Sequence, residues 1–147
     1  MLSHIDIPAL IPHQRGMCLL AEVVSWDALR ICCRASGHRD PLHPLRGEAG
    51  LLAVCGIEYA AQAIAVHGGL MAANEPGFRA PAVGYLANAK DVSWTVERLD
   101  DIAADLQVDA EQLISEGGRS IYAFSLSAAG VRLMQGRVAV VLEGASA

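Results

Sequence analysis

The sequence has 147 residues and a mass of 15.5 kDa, the size of one folding domain. Hydrophobic residues make up 53% and charged residues 18%, which excludes a disordered tail protein. A net charge of −5 and a pI of about 5.4 argue against generic nucleic-acid binding, though not against a local basic patch for an acidic partner.

The amino-terminal stretch Met-Leu-Ser-His-Ile-Asp-Ile-Pro lacks the basic start and apolar run of a signal peptide, so a cytoplasmic protein is expected. Leu19 to Ser25 and Leu29 to Ala35 read as two strands joined at Trp26-Asp27-Ala28. Cys18, Cys32, Cys33 and Cys55 form no C-x-x-C pair, so reduced thiols are expected and not a disulfide framework or a zinc site.

A loop rich in turn chemistry follows, Ser36-Gly37-His38-Arg39-Asp40-Pro41-Leu42-His43-Pro44-Leu45-Arg46. It leads into Ala49 to Asn74, whose only formal charge is Glu58. Leu52, Cys55, Gly56, Tyr59, Ala63, Val66 and Leu70 keep the i, i+3, i+4, i+7 rhythm of a helix, and Leu51, Val54, Ala61 and Ala65 fill its other side. A helix apolar all round is enclosed by protein or by lipid. Its glycines, Gln62 and mid-helix Glu58 speak against a membrane span. Gly68-Gly69 lacks the spacing of a phosphate loop and reads as a helix C-cap.

The second half reads as strands. Val83 to Trp94 is one. Ile102, Ala104, Leu106, Val108 and Ala110 alternate with polar or small residues as a second. Glu116-Gly117-Gly118-Arg119 is a hairpin turn, Ser120 to Leu126 a third strand, Ala128-Ala129-Gly130 another turn, and Arg132 to Leu142 a last strand. No repeat or linker divides the chain, so residues 1–147 form a single domain. One antiparallel sheet wrapped around one long helix, an α+β arrangement, fits this order.

Glu58 is the prime candidate for chemistry. A carboxylate in an apolar helix loses hydration, which favours its neutral form and suits proton transfer near neutral pH. His38 or His43, at the mouth of the same helix, is the candidate base, with Asp40 placed to orient either. His4, His13 and His67 read as surface, cap or packing residues. No H-E-x-x-H and no G-x-S-x-G occurs, so neither a metal site nor a serine nucleophile is expected.

Leu10-Ile11-Pro12-His13 through Leu19-Leu20, the Gly37-His38 pair and Gly56-Ile57-Glu58-Tyr59-Ala60-Ala61-Gln62-Ala63 together resemble the β-hydroxyacyl-acyl carrier protein dehydratases. The His-Arg-Asp-Pro loop and the Gly-Ile-Glu-Tyr-Ala-Ala-Gln-Ala helix are most similar to the dehydratase-like subfamily of aryl polyene and polyketide clusters. The resemblance spans nearly the whole chain and implies the hot-dog fold, a curled antiparallel sheet around a central helix. It implies that His38 removes the proton alpha to the thioester carbonyl of a 3-hydroxyacyl chain. The partner subunit's Glu58 then assists loss of the hydroxyl as water.

By the same resemblance, backbone N–H groups near Ala53 and Val54 polarise the thioester oxygen, and Leu51, Ile57 and Ala61 line an apolar acyl tunnel. The implied substrate is carried on acyl carrier protein or CoA, with Arg39, Arg46, Arg79 and Lys90 as candidates for carrier docking. No cofactor is implied. The implied assembly is a homodimer, or a heterodimer with another hot-dog subunit. Two other readings share the fold: a non-catalytic subunit that pairs with an active dehydratase, and an acyl thioesterase in which a carboxylate activates water.

Overall fold

The computed structural model describes residues 7, 18–73 and 84–142. The strands are β1 (Glu22–Trp26), β2 (Arg30–Ala35), β3 (Gly84–Trp94), β4 (Leu106–Glu116), β5 (Arg119–Ala128) and β6 (Val131–Leu142). The helix, α1, spans Gly56–Ala73 between β2 and β3. The sheet has the order β1-β2-β4-β5-β6-β3, and every neighbouring pair is antiparallel. This is the hot-dog fold: six strands curled about one long helix.

Period-two patterning decides which face of the sheet meets α1. Ile31, Cys33 and Ala35 of β2, Leu106, Val108 and Ala110 of β4, and Tyr122, Phe124, Leu126 and Ala128 of β5 are all buried, and their neighbours alternate outward. Cys32 and Cys33 therefore point to opposite faces and stay reduced, with burial pushing both thiols up to about 12. In β6 a register shift near Leu126/Ser127 of β5 breaks the alternation, so Leu133 and Met134 are both buried while Arg132 faces solvent.

The turns follow their chemistry. Asp27 accepts the Leu29 and Arg30 N–H groups at 2.8 and 2.9 Å and closes the β1–β2 hairpin. Gly117 and Gly118 supply the positive φ of the β4–β5 turn.

Several boundaries differ from the sequence reading; the first strand, expected from Leu19, begins at Glu22. The helix begins at Gly56, after a 3-10 turn over Ala53–Cys55, because residues 47–51 are held by other partners. Gly68-Gly69 does not cap the helix, which runs on to Ala73; Gly69 is buried beneath it. The strand expected from Ile102 begins at Leu106. His4, residues 10–17, Asn74, Arg79 and Val83 lie outside the described residues. No helix among those described is long and apolar enough to cross a membrane.

Gly50 is the tightest point of the helix entrance. It has φ +95°, and a Cβ there would stand 2.7 Å from Arg98 Nε and 2.8 Å from Asp100 Oδ1. Reciprocal backbone bonds with Gly47, at 3.0 and 3.1 Å, fix it in place. Gly50→Ala is expected to lower stability by about 1–3 kcal/mol, read by chemical denaturation.

Candidate active site

Nine residues of α1 are buried against the sheet, among them Tyr59, Gln62, Ala63 and Val66. Ile57, Glu58, Ala61, Ala65 and Ala72 are half-buried and Gly68 is exposed, so one stripe of the helix is left open by this chain's own sheet. Glu58 is thus half-buried on an open stripe and not enclosed, as its apolar neighbours had implied. Gln62 aims at it: the Gln62 Oε1 accepts the Leu19 N–H at 2.8 Å, which turns its amide to donate to Glu58 Oε1 at 3.2 Å. Ile57 and Ala61 flank Glu58 on the same stripe.

Two of the expected site residues have other tasks. The Ala53 N–H donates to the Glu97 carbonyl at 2.9 Å, so it is not an oxyanion donor in this conformation. The 3-10 turn closes with Cys55 N–H on Leu52 O and Gly56 N–H on Ala53 and Val54 O, while the Val54 N–H, at the start of the turn, is an orphan among the described residues. Leu51 is fully buried in the core, with its carbonyl taken by Leu99 N–H at 2.8 Å, and it lines no open tunnel. Both departures have one cause: the segment before the helix is sewn to residues 97–100 and not left free to face a ligand.

Asp100 does most of that sewing. Its carboxylate accepts the Leu51 N–H at 3.0 Å, the Arg98 Nε at 3.1 Å and the Arg46 guanidinium at 3.3 Å, with a side chain only 2% exposed. The Arg98 hydrogen bonds are the main reason its carboxyl is held far below the usual carboxylate range. Arg46, expected to greet a carrier, is committed here, while Arg39 and Lys90 are exposed. Nothing in the Leu99-Asp100-Asp101 sequence distinguishes Asp100 from a surface acid, so sequence reasoning missed it.

Three histidines are buried among the described residues, and their hydrogen bonds sort them. His67 donates Nε2–H to the Asp27 carbonyl at 2.8 Å, and its Nδ1 accepts the Tyr122 hydroxyl at 2.6 Å; Gln112 in turn donates to Tyr122 Oη at 3.3 Å. His43 accepts the Leu45 N–H at Nδ1, 3.1 Å, so its proton sits on Nε2 and is donated to Tyr59 Oη at 2.9 Å. Burial first, with His38 and Arg46 adding and Asp40 opposing, pushes the His43 imidazole below its ordinary value. Both rings have two partners.

His38 has one: its Nε2–H donates to the Ile102 carbonyl at 2.9 Å. Its Nδ1 is the one buried side-chain nitrogen or oxygen among the described residues with no hydrogen-bond partner. A neutral imidazole with Nε2 protonated carries its basic lone pair on Nδ1. Of the two candidate bases, only His38 has a lone pair to offer. The described contacts do not bring His38 and Glu58 of one chain together.

A groove of about 640 Å³ lies on the outer face of the sheet, among Arg30, Cys32, Asp109, Ser125, Gln135 and Arg137. Arg30 pairs with Glu111 at 2.6 Å and Arg137 with Asp91, so these charges answer one another. None of the expected site residues reaches it. Among the described residues, no group of three or more His, Cys, Asp or Glu side chains is placed to hold a metal ion.

Comparison with known proteins bears on the chemistry. The family model described as ApeP-like, ApeP dehydratase, matches residues 5–145. No protein of curated function matches the sequence. Among solved structures, the dehydratase heterocomplex ApeI:P from Xenorhabdus doucetiae superposes with a TM-score of 0.87 at 22% identity, over 97% of this chain and 93% of that one. A mutant thioesterase from Pseudomonas aeruginosa gives 0.56 at 12% identity, over 82% and 79%. A hypothetical thioesterase with coenzyme A from Streptococcus pneumoniae gives 0.59 at 8% identity, over 86% and 88%. At these identities the structural likenesses speak for the fold alone.

Proposed function

The chain belongs to the ApeP-like dehydratase family, and on that premise we propose that it removes water, reversibly, from 3-hydroxyacyl thioesters carried on acyl carrier protein or CoA. The setting is fatty-acid-like or aryl polyene and polyketide biosynthesis in the cytoplasm. The observation that carries the reading is a buried imidazole with one lone pair unused, in a chain that also sets a carboxylate on the open stripe of its helix.

Elimination needs both. His38 Nδ1 takes the proton from the carbon alpha to the thioester, and Glu58 protonates the leaving hydroxyl, so that a C–H and a C–O bond break as the C=C bond forms and water departs. The Val54 N–H, the orphan of the helix entrance, is the donor toward the thioester oxygen, and Ile57 and Ala61 line the acyl path beside Glu58. The two groups meet across subunits: His38 of one chain faces Glu58 of a second chain of the same fold.

The sheet supports such pairing. β3 is an edge strand whose residues 86–91 are all exposed, on both faces. An edge this long with Leu86 and Trp94 in solvent is a surface for a partner. The partner is a second copy or another hot-dog subunit, the latter in line with the heterocomplex of the superposed Xenorhabdus structure.

The test is product analysis by mass spectrometry on carrier-bound 3-hydroxyacyl substrates. Loss of one water with the thioester intact is expected. Release of free acid and thiol would replace this reading with the thioesterase one. No change on any acyl chain, with the assembly confirmed, would replace it with a non-catalytic subunit.

A further inference from the structure

His38 is completely enclosed in the single chain. Association with a partner can only cover more surface, so no rigid assembly brings a substrate to its Nδ1. The chain itself must move. The segment that would move is marked. Residues 38–46 show Arg39, Asp40, Pro41, Leu42 and Pro44 to solvent, Leu42 with 87% of its surface exposed, and only His38 and His43 are buried.

Gly37 and Gly47 flank the segment. Neither has a positive φ, and a Cβ would meet nothing within 4 Å at either. Nothing in the closed conformation therefore requires glycine at these two places, whereas a hinge uses its backbone freedom. Between the glycines the segment is stiff. Asp40 N–H bonds Gly37 O, His43 N–H bonds Asp40 O, and Arg46 N–H bonds His43 O, at 3.0–3.1 Å, so it moves as one body.

We propose that His43 and Tyr59 are positioning residues for His38: they latch residues 38–46, a lid hinged at Gly37 and Gly47, so that the base is closed off until the lid swings. The inference rests on the reading of His38 as the base. Two of the side-chain bonds between the lid and the body of the protein are made by its histidines. One is the bond of His38 itself to the Ile102 carbonyl, which opening exchanges for solvent or ligand. The other is the His43 Nε2–H to Tyr59 Oη bond, with the rings stacked at 6.0 Å and 28°.

The Leu45 N–H, within the lid, fixes the His43 tautomer that donates, so the latch is set from inside the moving part. Cys55 Sγ lies a weak 4.0 Å from Leu45 O, and Arg46, at the end of the lid beside Gly47, adds an ion pair to Asp100 at 3.3 Å.

The test uses carbethoxylation by diethyl pyrocarbonate, with His38 and His43 distinguished by fragment mass spectrometry. In the wild type His38 is modified far more slowly than a free imidazole. Tyr59→Phe keeps the ring and removes the oxygen, and the net worth of one hydrogen bond corresponds to about a tenfold rise in the His38 rate. Gly47→Ala has room for its methyl in the closed lid, so the melting temperature stays and the His38 rate falls. A wild-type His38 as reactive as free imidazole overturns the lid, and a rate unchanged by Tyr59→Phe or by Gly47→Ala overturns the latch or the hinge. These readouts need no turnover: if Tyr59→Phe unmasks His38 in a protein that dehydrates nothing, the latch stands and the dehydratase reading falls.

Discussion

Glu58→Gln is expected to lower turnover of a 3-hydroxyacyl thioester by at least about a hundredfold, the usual worth of a positioned general acid or base. The substitution is nearly isosteric. The glutamine carbonyl still accepts from Gln62 Nε2, whose own orientation is fixed by the Leu19 N–H, so that bond survives. What disappears is the ability to give and take a proton. The melting temperature is therefore expected to stay within about 2 °C of the parent, since the site is half-exposed and no buried group is left without a partner. Initial rates and a thermal melt on the same preparation check both halves. Turnover within a few-fold of the parent would remove Glu58 from the mechanism.

Asp100→Ala is expected to give the largest loss of stability. The change strips the Leu51 N–H of its acceptor in the core and leaves Arg98 and Arg46 without their shared counter-charge. The arginines are partly exposed and can turn to water, which moderates the loss; the buried N–H cannot. About 2–4 kcal/mol is expected from denaturant unfolding. The pH dependence follows from the sign of the shift. A carboxyl held below its unfolded value stabilises the fold above that value, and its contribution fades as pH falls through the folded one. In the parent this loss begins below about pH 4, and Asp100→Ala is expected to flatten that limb of the stability curve.

Much of this was legible in the sequence, for identifiable reasons. The strands from Leu106 to Leu142 announced themselves because one face of each meets the helix and the other meets water, which writes a period of two into the chain. The helix was legible because it is enclosed on most sides, and Glu58 because it is the one formal charge in that stretch. Gly68-Gly69 misled, since glycines mark helix ends by propensity, but here the helix runs on through exposed Gly68 and buried Gly69 to Ala73. The candidate oxyanion donor Ala53 and the candidate lining residue Leu51 were placed by position along the chain. Their real partners, Glu97 and Asp100, lie more than forty residues on, and no local pattern signals a bond over that separation.

The choice between His38 and His43 illustrates the same limit. Both sit in one turn-rich loop before the helix, and the sequence favours His38 only through the resemblance carried by the Gly37-His38 pair. Their hydrogen-bond partners differ in a way no local pattern signals: Leu45 and Tyr59 occupy both nitrogens of His43, and only Nε2 of His38 is taken. Tyr59 carried a sequence signal, a phenol on an otherwise aliphatic stretch beside the one charge, but its meaning depended on which loop atom it would meet.

The most direct measurement is hydration run backwards in heavy water. The protein, with its assembly state established, is given a trans-2-enoyl thioester in D₂O, and the product is read by mass spectrometry and proton NMR. A 3-hydroxyacyl thioester carrying one deuterium on the carbon next to the thioester is the expected product, made by the parent and not by Glu58→Gln. Cleavage of the thioester, or recovery of an unlabelled enoyl chain from an intact assembly, would contradict the account.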